Sequence, residues 1–475
     1  MATGAATVSA RALDALLTQW RSTAPAYQAL ADRIRLLVVD GRIPVGSRLP
    51  AERDLAARLG VSRTTITATY TALRESGHLE SVRGSGSVAR MPTHAPAPIE
   101  GASSGFLDFS KATMPAIPRL ADAAVRAARD LPAYLGESGF DPVGLPRVRQ
   151  AIADRFAARG LPTDADQIMV TIGAQHAIAL LSRVILGRGD RALVESPSYP
   201  HAFDALRGAG ARLVPVGVTS DAGWDVDGLE QALNRSSPAL AYVMPDFHNP
   251  TGRVMPADQR ERMLALASRN GTVVVADETM AELAIDEVDQ PLPLAAYGPA
   301  VLVGSLGKTV WGGVRIGWIR AEPDLIDRLV RARSAGDLGT PVLEQLIAAE
   351  MLGEYDEILA VRRDHLAAGR TRLERALGDA FPEWTVPHVT GGLTTWVGLG
   401  AAVSSQLTIA ARSEGLLLAS GPRFGIDGAF ERFLRVPFCY PEGETDAAVA
   451  ALSRAWTGLG RHPFPQRDAL LADVV

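Results

Sequence analysis

Between residues 167 and 305, short apolar runs rich in β-branched residues alternate with longer segments of helical periodicity. No other feature constrains the fold as much. "QIMVT" precedes "AQHAIALLSRVIL" and "RALVES" precedes "SYPHAFDALRGAG"; "LAYVMP", "TVVVADE" and "VLVGS" follow, each almost wholly apolar. A strand that is apolar on both faces must be covered on both, and strands separated by helices pair in parallel. The expectation is an α/β body whose large, mostly parallel sheet carries helices on both sides. Ligands of such sheets gather at the carboxyl ends of the strands. The residues that follow each run are therefore the place to look for a site.

After the first run, Gly173 opens a helix whose first residues are Ala174 and Gln175. Free backbone N–H groups and the helix dipole make such a turn a cup for an anion. Tyr199 follows "RALVES", where an aromatic ring either stacks on a flat ligand or simply packs. "DFHNPTG" sets Asn249 in a tight turn, and Asp277 closes "TVVVAD" with a carboxylate. Ser305 and Lys308 follow "VLVG", and Arg315 stands seven residues beyond Lys308. Arg435 interrupts the apolar "RFLRVPF", and a buried arginine needs a carboxylate or an anionic ligand.

Gly307-Lys308-Thr309 has the look of a P-loop terminus. A P-loop also needs a glycine five residues before Gly307, and Leu302 stands there, in mid-strand. The nucleotide reading fails. Of the 48 basic residues only Lys111 and Lys308 are lysine. Lysine can lose its proton and form a Schiff base, whereas arginine stays charged and non-nucleophilic. The chemistry of an imine thus has two candidates.

At 475 residues the chain is too long for one hydrophobic core and is expected to form two to four domains. Its charge is uneven. The first 90 residues carry 12 arginines against 7 acidic residues, whereas the whole chain is at −5. A basic head on an acidic body fits a polyanionic partner. In that head "YQALADRIRLLVVD" places Leu30, Ile34, Leu37 and Val38 on one helical face. "AERDLAARLG" reads as a short helix stopped by Gly60, and Ser62 caps the next, with Ile66, Tyr70 and Leu73 inward. Two short helices joined by a tight turn form a helix-turn-helix. Arg63, Thr64, Thr65 and Thr67 stand near the start of the second helix, where bases and phosphates are met. "HLESVRGSGSVAR" follows as a small hairpin, its glycine tip flanked by Arg83 and Arg90. The candidate DNA contacts are Arg48, Arg53, Ser62, Arg63, Thr64, Thr65, Arg83 and Gly86.

Residues 91–105, "MPTHAPAPIEGASSG", lack periodicity and read as a linker. No apolar run approaches the length of a membrane span, and the first residues lack the pattern of a secretory signal. One cysteine, Cys439, excludes an internal disulfide and leaves nothing for a cysteine-based metal cluster. These features lead to the expectation of a cytoplasmic protein without a metal or membrane site.

Residues 25–90, through "LPAERDLAARLGVSRTTITATYTALRESGHL", resemble the GntR-family winged helix. In chain order, Gly173-Ala174-Gln175, Tyr199, Asn249-Pro250-Thr251-Gly252, Asp277, Ser305-x-x-Lys308 and Arg315 resemble the fold-type I aminotransferases over residues 107–475. The two together resemble the MocR family of transcriptional regulators. The resemblance implies a winged-helix domain over 1–91, a linker over 92–106 and an aminotransferase-like domain over 107–475, with a smaller α+β subdomain from about residue 365. It implies pyridoxal 5′-phosphate on Lys308, Asp277 at the pyridine nitrogen, Asn249 at the ring 3-oxygen and Tyr199 on the ring face. The phosphate would fall to Ala174, Gln175, Ser305 and Arg315, and the carboxylate of an amine or amino-acid effector to Arg435. It also implies double-stranded DNA as partner and a homodimer, each head lying against the partner subunit's body. Two positions depart from the pattern. The tyrosine usual two or three residues after the aspartate is replaced by Thr279 and Met280, and a tyrosine expected from the partner subunit is replaced by Phe140. Both changes remove a hydroxyl from the cofactor and favour a sensor over an efficient transaminase. A working aminotransferase with an accessory head is the alternative.

Overall fold

The computed structural model describes residues 7–17, 20, 25–39, 42–44, 46–82, 86–90, 106–286, 290–426 and 428–460. Two compact units emerge. One takes the described residues up to Leu107 together with Val403–Ser420 and those from Ala450 onward; the other takes Asp108–Ala402 and Gly421–Val449.

In the first unit, helices Ala26–Val39, Glu52–Leu59 and Arg63–Glu75 close on a core of Leu30, Ile34, Leu37, Leu55, Ile66 and Leu73. The helix Ala10–Leu17 adds Leu13 and Leu17 to it. The short second helix stops because Gly60 adopts φ +64°, a left-handed cap whose N–H bonds back to Ala56 O. Two residues later Ser62 accepts from Thr65 N at 3.1 Å and starts the third helix. Tyr70 is fully buried, and its hydroxyl donates to Pro50 O at 2.8 Å. Strands Leu79–Val82 and Gly86–Ala89 then pair antiparallel as the hairpin, with Arg83, Gly84 and Ser85 lying outside the described residues. The linker 91–105 also lies outside them.

The second unit is built on an eight-stranded sheet. In spatial order its strands begin at Ile168, Gly317, Val301, Val273, Leu240, Arg191, Arg212 and Gly223. The five central pairings include four parallel ones, as the all-apolar runs require. Gly317–Arg320, a strand not among the runs read from sequence, slots in antiparallel between Val301–Ser305 and Ile168–Thr171. Alternate residues of each strand feed two separate cores. Val170, Leu193, Val243, Ala276 and Leu302 pack on one face, under helices Pro146–Ala158 and Val342–Gly353. Met169, Val194, Tyr242, Val275 and Val303 pack on the other, under Ala174–Ile185, Pro200–Gly208 and Pro323–Arg333. The parallel direction brings Gly173, Tyr199, Asn249, Asp277 and Lys308 to a single edge. Beyond the sheet, the long helix Tyr355–Ala380 leads to the antiparallel pair Thr394–Gly398 and Phe433–Pro437, in which Trp396 faces Arg435 in register.

Candidate functional sites

Local rules explain how each site residue is presented. Gly173 has φ +82° and starts the helix Ala174–Ile185, leaving the first N–H groups of that helix free. A β-carbon on Gly173 would lie 3.1 Å from the Arg315 guanidinium, and one on Gly317 would lie 2.8 Å from Ala174 N. The cup therefore tolerates no side chain at either position. Arg315 leans over it with Nη2 donating to Ile172 O at 3.1 Å, and holds φ +55°, a conformation that L-residues seldom adopt. The Ser305 hydroxyl donates to Ile316 O at 3.0 Å and accepts from Gly307 N at 3.0 Å.

The Asn249 turn is pinned from below by a buried carboxylate that the sequence reading missed. Glu195 accepts from Trp224 Nε1 at 2.6 Å and from Met244 N at 2.8 Å, and its Oε2 lies 3.2 Å from His248 Nε2. His248 in turn bonds Thr251 Oγ1 at 2.9 Å. Glu195 and His248 are both buried. Their only signal in the sequence is a carboxylate and an imidazole beside otherwise apolar runs.

Asp277 is buried at 3 % exposure and accepts from Tyr242 Oη at 2.7 Å and from Thr279 N at 3.0 Å. Burial raises its proton affinity, and these donors together with the Lys308 charge oppose the rise. Lys308 donates from Nζ to Ala112 O at 2.7 Å. Desolvation lowers its pKa first, the Arg435 charge adds to that, and Cys439 and Asp277 act in the other direction. A lysine held below its usual range offers a neutral, nucleophilic amine more readily. Tyr199, half-buried at the start of the helix Pro200–Gly208, is pushed up to about 12 by burial and by Asp277, against Arg315 and Arg435. The mutual influence of Asp277, Lys308, Tyr199, Arg315 and Arg435 places them in one electrostatic neighbourhood.

Arg435 is buried at 7 % exposure, with its guanidinium 5.0 Å from the Phe424 ring centre. Burial brings it down to about 10. It forms no ion pair among the described residues; its Nη2 donates to Ser110 O. The same segment, Asp108–Pro115, is held by further side chains: Tyr440 Oη donates to Asp108 O and Lys111 O, Cys439 Sγ to Thr113 O and Arg362 Nη2 to Pro115 O. The other lysine, Lys111, is exposed and paired with Asp108 at 2.8 Å, outside the buried neighbourhood of Lys308.

These residues fit pyridoxal 5′-phosphate. Asn249 Oδ1, Gln175 Oε1, Ser198 Oγ and Arg435 Nε are buried without a hydrogen-bond partner among the described residues, a condition proteins seldom leave uncompensated. A glycine-lined helix terminus suits the phosphate, a buried carboxylate suits a protonated ring nitrogen, and a desolvated lysine suits an aldehyde carbon. No group of three or more metal-ligating side chains occurs among the described residues, and no described helix is long and apolar enough to cross a membrane.

The head offers a different kind of surface. Arg48, Arg53, Arg63 and Thr64 are exposed, and Arg48 and Arg63 have no ion pair among the described residues. Arg53 lies 3.6 Å from Asp54, and Arg58 is taken by Asp14 at 2.7 Å. Ser62 Oγ lies 2.7 Å from both Thr64 Oγ1 and Thr65 Oγ1, so the three hydroxyls form one cluster at the helix start, with Ser62 acting as its cap. Thr67 is already engaged by Glu52 at 2.7 Å. Gly86, at φ +77°, packs directly on the Arg48 side chain.

Comparison with known proteins finds a family for each part of the chain. Residues 26–88 match the bacterial regulatory proteins of the gntR family, and residues 103–452 match aminotransferase class I and II. The chain is 31% identical over 362 residues to the probable rhizopine catabolism regulatory protein MocR of Rhizobium meliloti, covering 70% of this chain and 72% of that protein. It is 29% identical to the HTH-type transcriptional regulator TauR of Rhodobacter capsulatus, over 90% of this chain and 96% of that one. Among solved structures, LysN, the α-aminoadipate aminotransferase of Thermus thermophilus complexed with N-(5′-phosphopyridoxyl)-L-leucine, superposes with a TM-score of 0.69 at 30% identity, covering 75% of this chain and 94% of that chain. The gntR-type DNA-binding head and the aminotransferase class I and II body, whose family implies pyridoxal 5′-phosphate, make this chain a member of the MocR family of transcription regulators.

Proposed function

We propose that this regulator reads an amine or amino acid through pyridoxal 5′-phosphate held at Lys308 and passes the result to a DNA-bound head. In this reading the helix terminus at Ala174 and Gln175, with Ser305 and Arg315, holds the phosphate. Asn249 steadies the ring oxygen, Tyr199 covers the ring face and Asp277 keeps the ring nitrogen protonated. When bound, the cofactor supplies an electrophilic carbon and an electron sink. The chain's part is to present the Lys308 amine unprotonated, to exclude water around Asp277 and to fix the effector's carboxylate on Arg435 as a bidentate pair. The observation that carries the reading is Arg435: a buried guanidinium without a carboxylate partner among the described residues, close enough to Lys308 to depress its pKa. We place the protein in the cytoplasm as a homodimer, with residues 92–106 joining head and body, and Arg48, Arg53, Arg63, Thr64, Thr65, Arg83 and Gly86 contacting operator DNA.

Thr279 and Met280, where a tyrosine is usual, support sensing over turnover. Thr279 spends its N–H on Asp277, and Met280 is buried. The test is to mix purified, cofactor-loaded protein with a panel of amino acids and follow both the visible spectrum and keto-acid release, then to measure operator binding across salt concentrations. A spectral change without keto acid, joined to a shift in DNA affinity, is the expected result. Multiple turnovers to keto acid with no effect on DNA binding would replace the sensor with a transaminase.

A further inference from the structure

Tyr242 is the one polar side chain in the strand Leu240–Val243, and it is 1 % exposed. The parallel register pairs it with Val275, two residues before Asp277 on the neighbouring strand. From there its hydroxyl reaches Asp277 Oδ2 at 2.7 Å, while Thr279 N takes Oδ1 at 3.0 Å. Tyr242 thus holds one carboxylate oxygen and Thr279 N the other, the Thr279 side chain adding to them, and no arginine, lysine or histidine forms an ion pair with Asp277 among the described residues. A carboxylate this deeply buried tends to take up a proton and become neutral, and donors aimed at its oxygens are what oppose that. The phenol itself is buried and stays protonated, so in this pair it gives a hydrogen bond and does not accept a proton.

We propose that Tyr242 is a positioning residue that keeps the Asp277 carboxylate ionised and aimed, and so sets how firmly the body grips the protonated ring nitrogen of pyridoxal 5′-phosphate. The inference rests on the assignment of Asp277 to that nitrogen. The strand geometry supplies a second support. Tyr242 belongs to the apolar core that also borders Tyr199, so its ring packs whether or not the hydroxyl is present. The hydroxyl alone carries the role.

Tyr242→Phe removes only that oxygen. Full-length wild type, Tyr242→Phe, Asp277→Asn and the double variant are titrated calorimetrically with pyridoxal 5′-phosphate and with its 1-deaza analogue, in which the ring nitrogen is a carbon. Tyr242→Phe is expected to weaken the natural cofactor about tenfold, the size associated with one hydrogen bond to a charged group, and to leave the analogue's affinity unchanged. On the Asp277→Asn background the tyrosine change should add nothing. Equal losses for both ligands, or a loss for neither, overturn the role of Tyr242. If wild type itself binds the two ligands equally, the assignment of Asp277 falls and the proposal falls with it. A wild type that discriminates while Tyr242→Phe discriminates just as strongly removes Tyr242 alone.

Discussion

The head displays its functional side chains and the body encloses them. Arg63 and Thr64 stand in solvent at the start of a capped helix, whereas Asp277, Asn249 and Arg435 are buried. The difference follows from the ligands. A polyanion brings its own charge to a surface and releases counterions on binding, so exposed arginines lose little by waiting in water. A small cofactor must have its electronics set by a dry environment, and each buried polar group then needs a partner fixed in place. Residues of the head should therefore be removable with little harm to folding, and residues beneath the body's site should not.

The largest contrast is expected at Lys308. Lys308→Ala should abolish the visible absorption of the cofactor-incubated protein outright, because the remaining lysine, Lys111, is occupied at the surface by Asp108. The melting temperature of the cofactor-free protein should not fall, since a polar side chain whose burial is unfavourable has been removed; persistence of the band would remove Lys308 from the site. Next is Glu195→Ala, which strips acceptors from Trp224, Met244 and His248 together. It should destabilise the body by about 3 kcal/mol in urea, and a cost comparable to a surface change would show that the turn at Asn249 does not depend on it.

A smaller effect is expected from His78, half-buried near Arg35. Burial, then the Arg35 charge, brings its pKa from 6.5 down to about 4. The folded unit binds this proton less readily than the unfolded chain. Its contribution to stability is therefore full above pH 6.5 and declines as the pH falls toward 4. Thermal melts between about pH 7 and 5 should show this slope in the wild type and a flatter one in His78→Gln. Smallest for folding is Arg63→Ala, expected to change stability by no more than about 0.5 kcal/mol. It should lower the slope of log affinity for DNA against log salt by about one. An unchanged slope would mean that the helix start does not meet phosphate.

What could be read from the amino acids, and what could not, follows the same division. Gly60, Ser62 and the apolar spacing of the head act over a few residues, so their effects are visible in a short window of sequence. The all-apolar runs likewise announce a sheet buried on both faces, and the scarcity of lysine narrows the imine to Lys111 and Lys308. The support beneath the site was not legible. Tyr242 meets Asp277 only because two strands pair in one particular register, and nothing local to either residue records that register. Glu195 joins partners 29 and 49 residues away. The carbonyls of Ser110 and Ala112 accept from Arg435 and Lys308, and a backbone carbonyl has no signature in any sequence.

Those last contacts also carry a consequence for how the protein is made. Arg435, Cys439 and Tyr440 reach back to Ser110, Thr113 and Asp108 across separations of 325, 326 and 332 residues. At ribosomal speeds of roughly 5–20 residues per second, the segment that borders Lys308 must wait roughly 15–65 s for its partners to be synthesised. Among the described residues, the apolar core of the head's helices and hairpin draws on none beyond 90. Each new molecule should thus acquire its winged-helix core well before the segment beside Lys308 is complete, and a nascent regulator passes through a period in which its head has formed while the aminotransferase-like site has not.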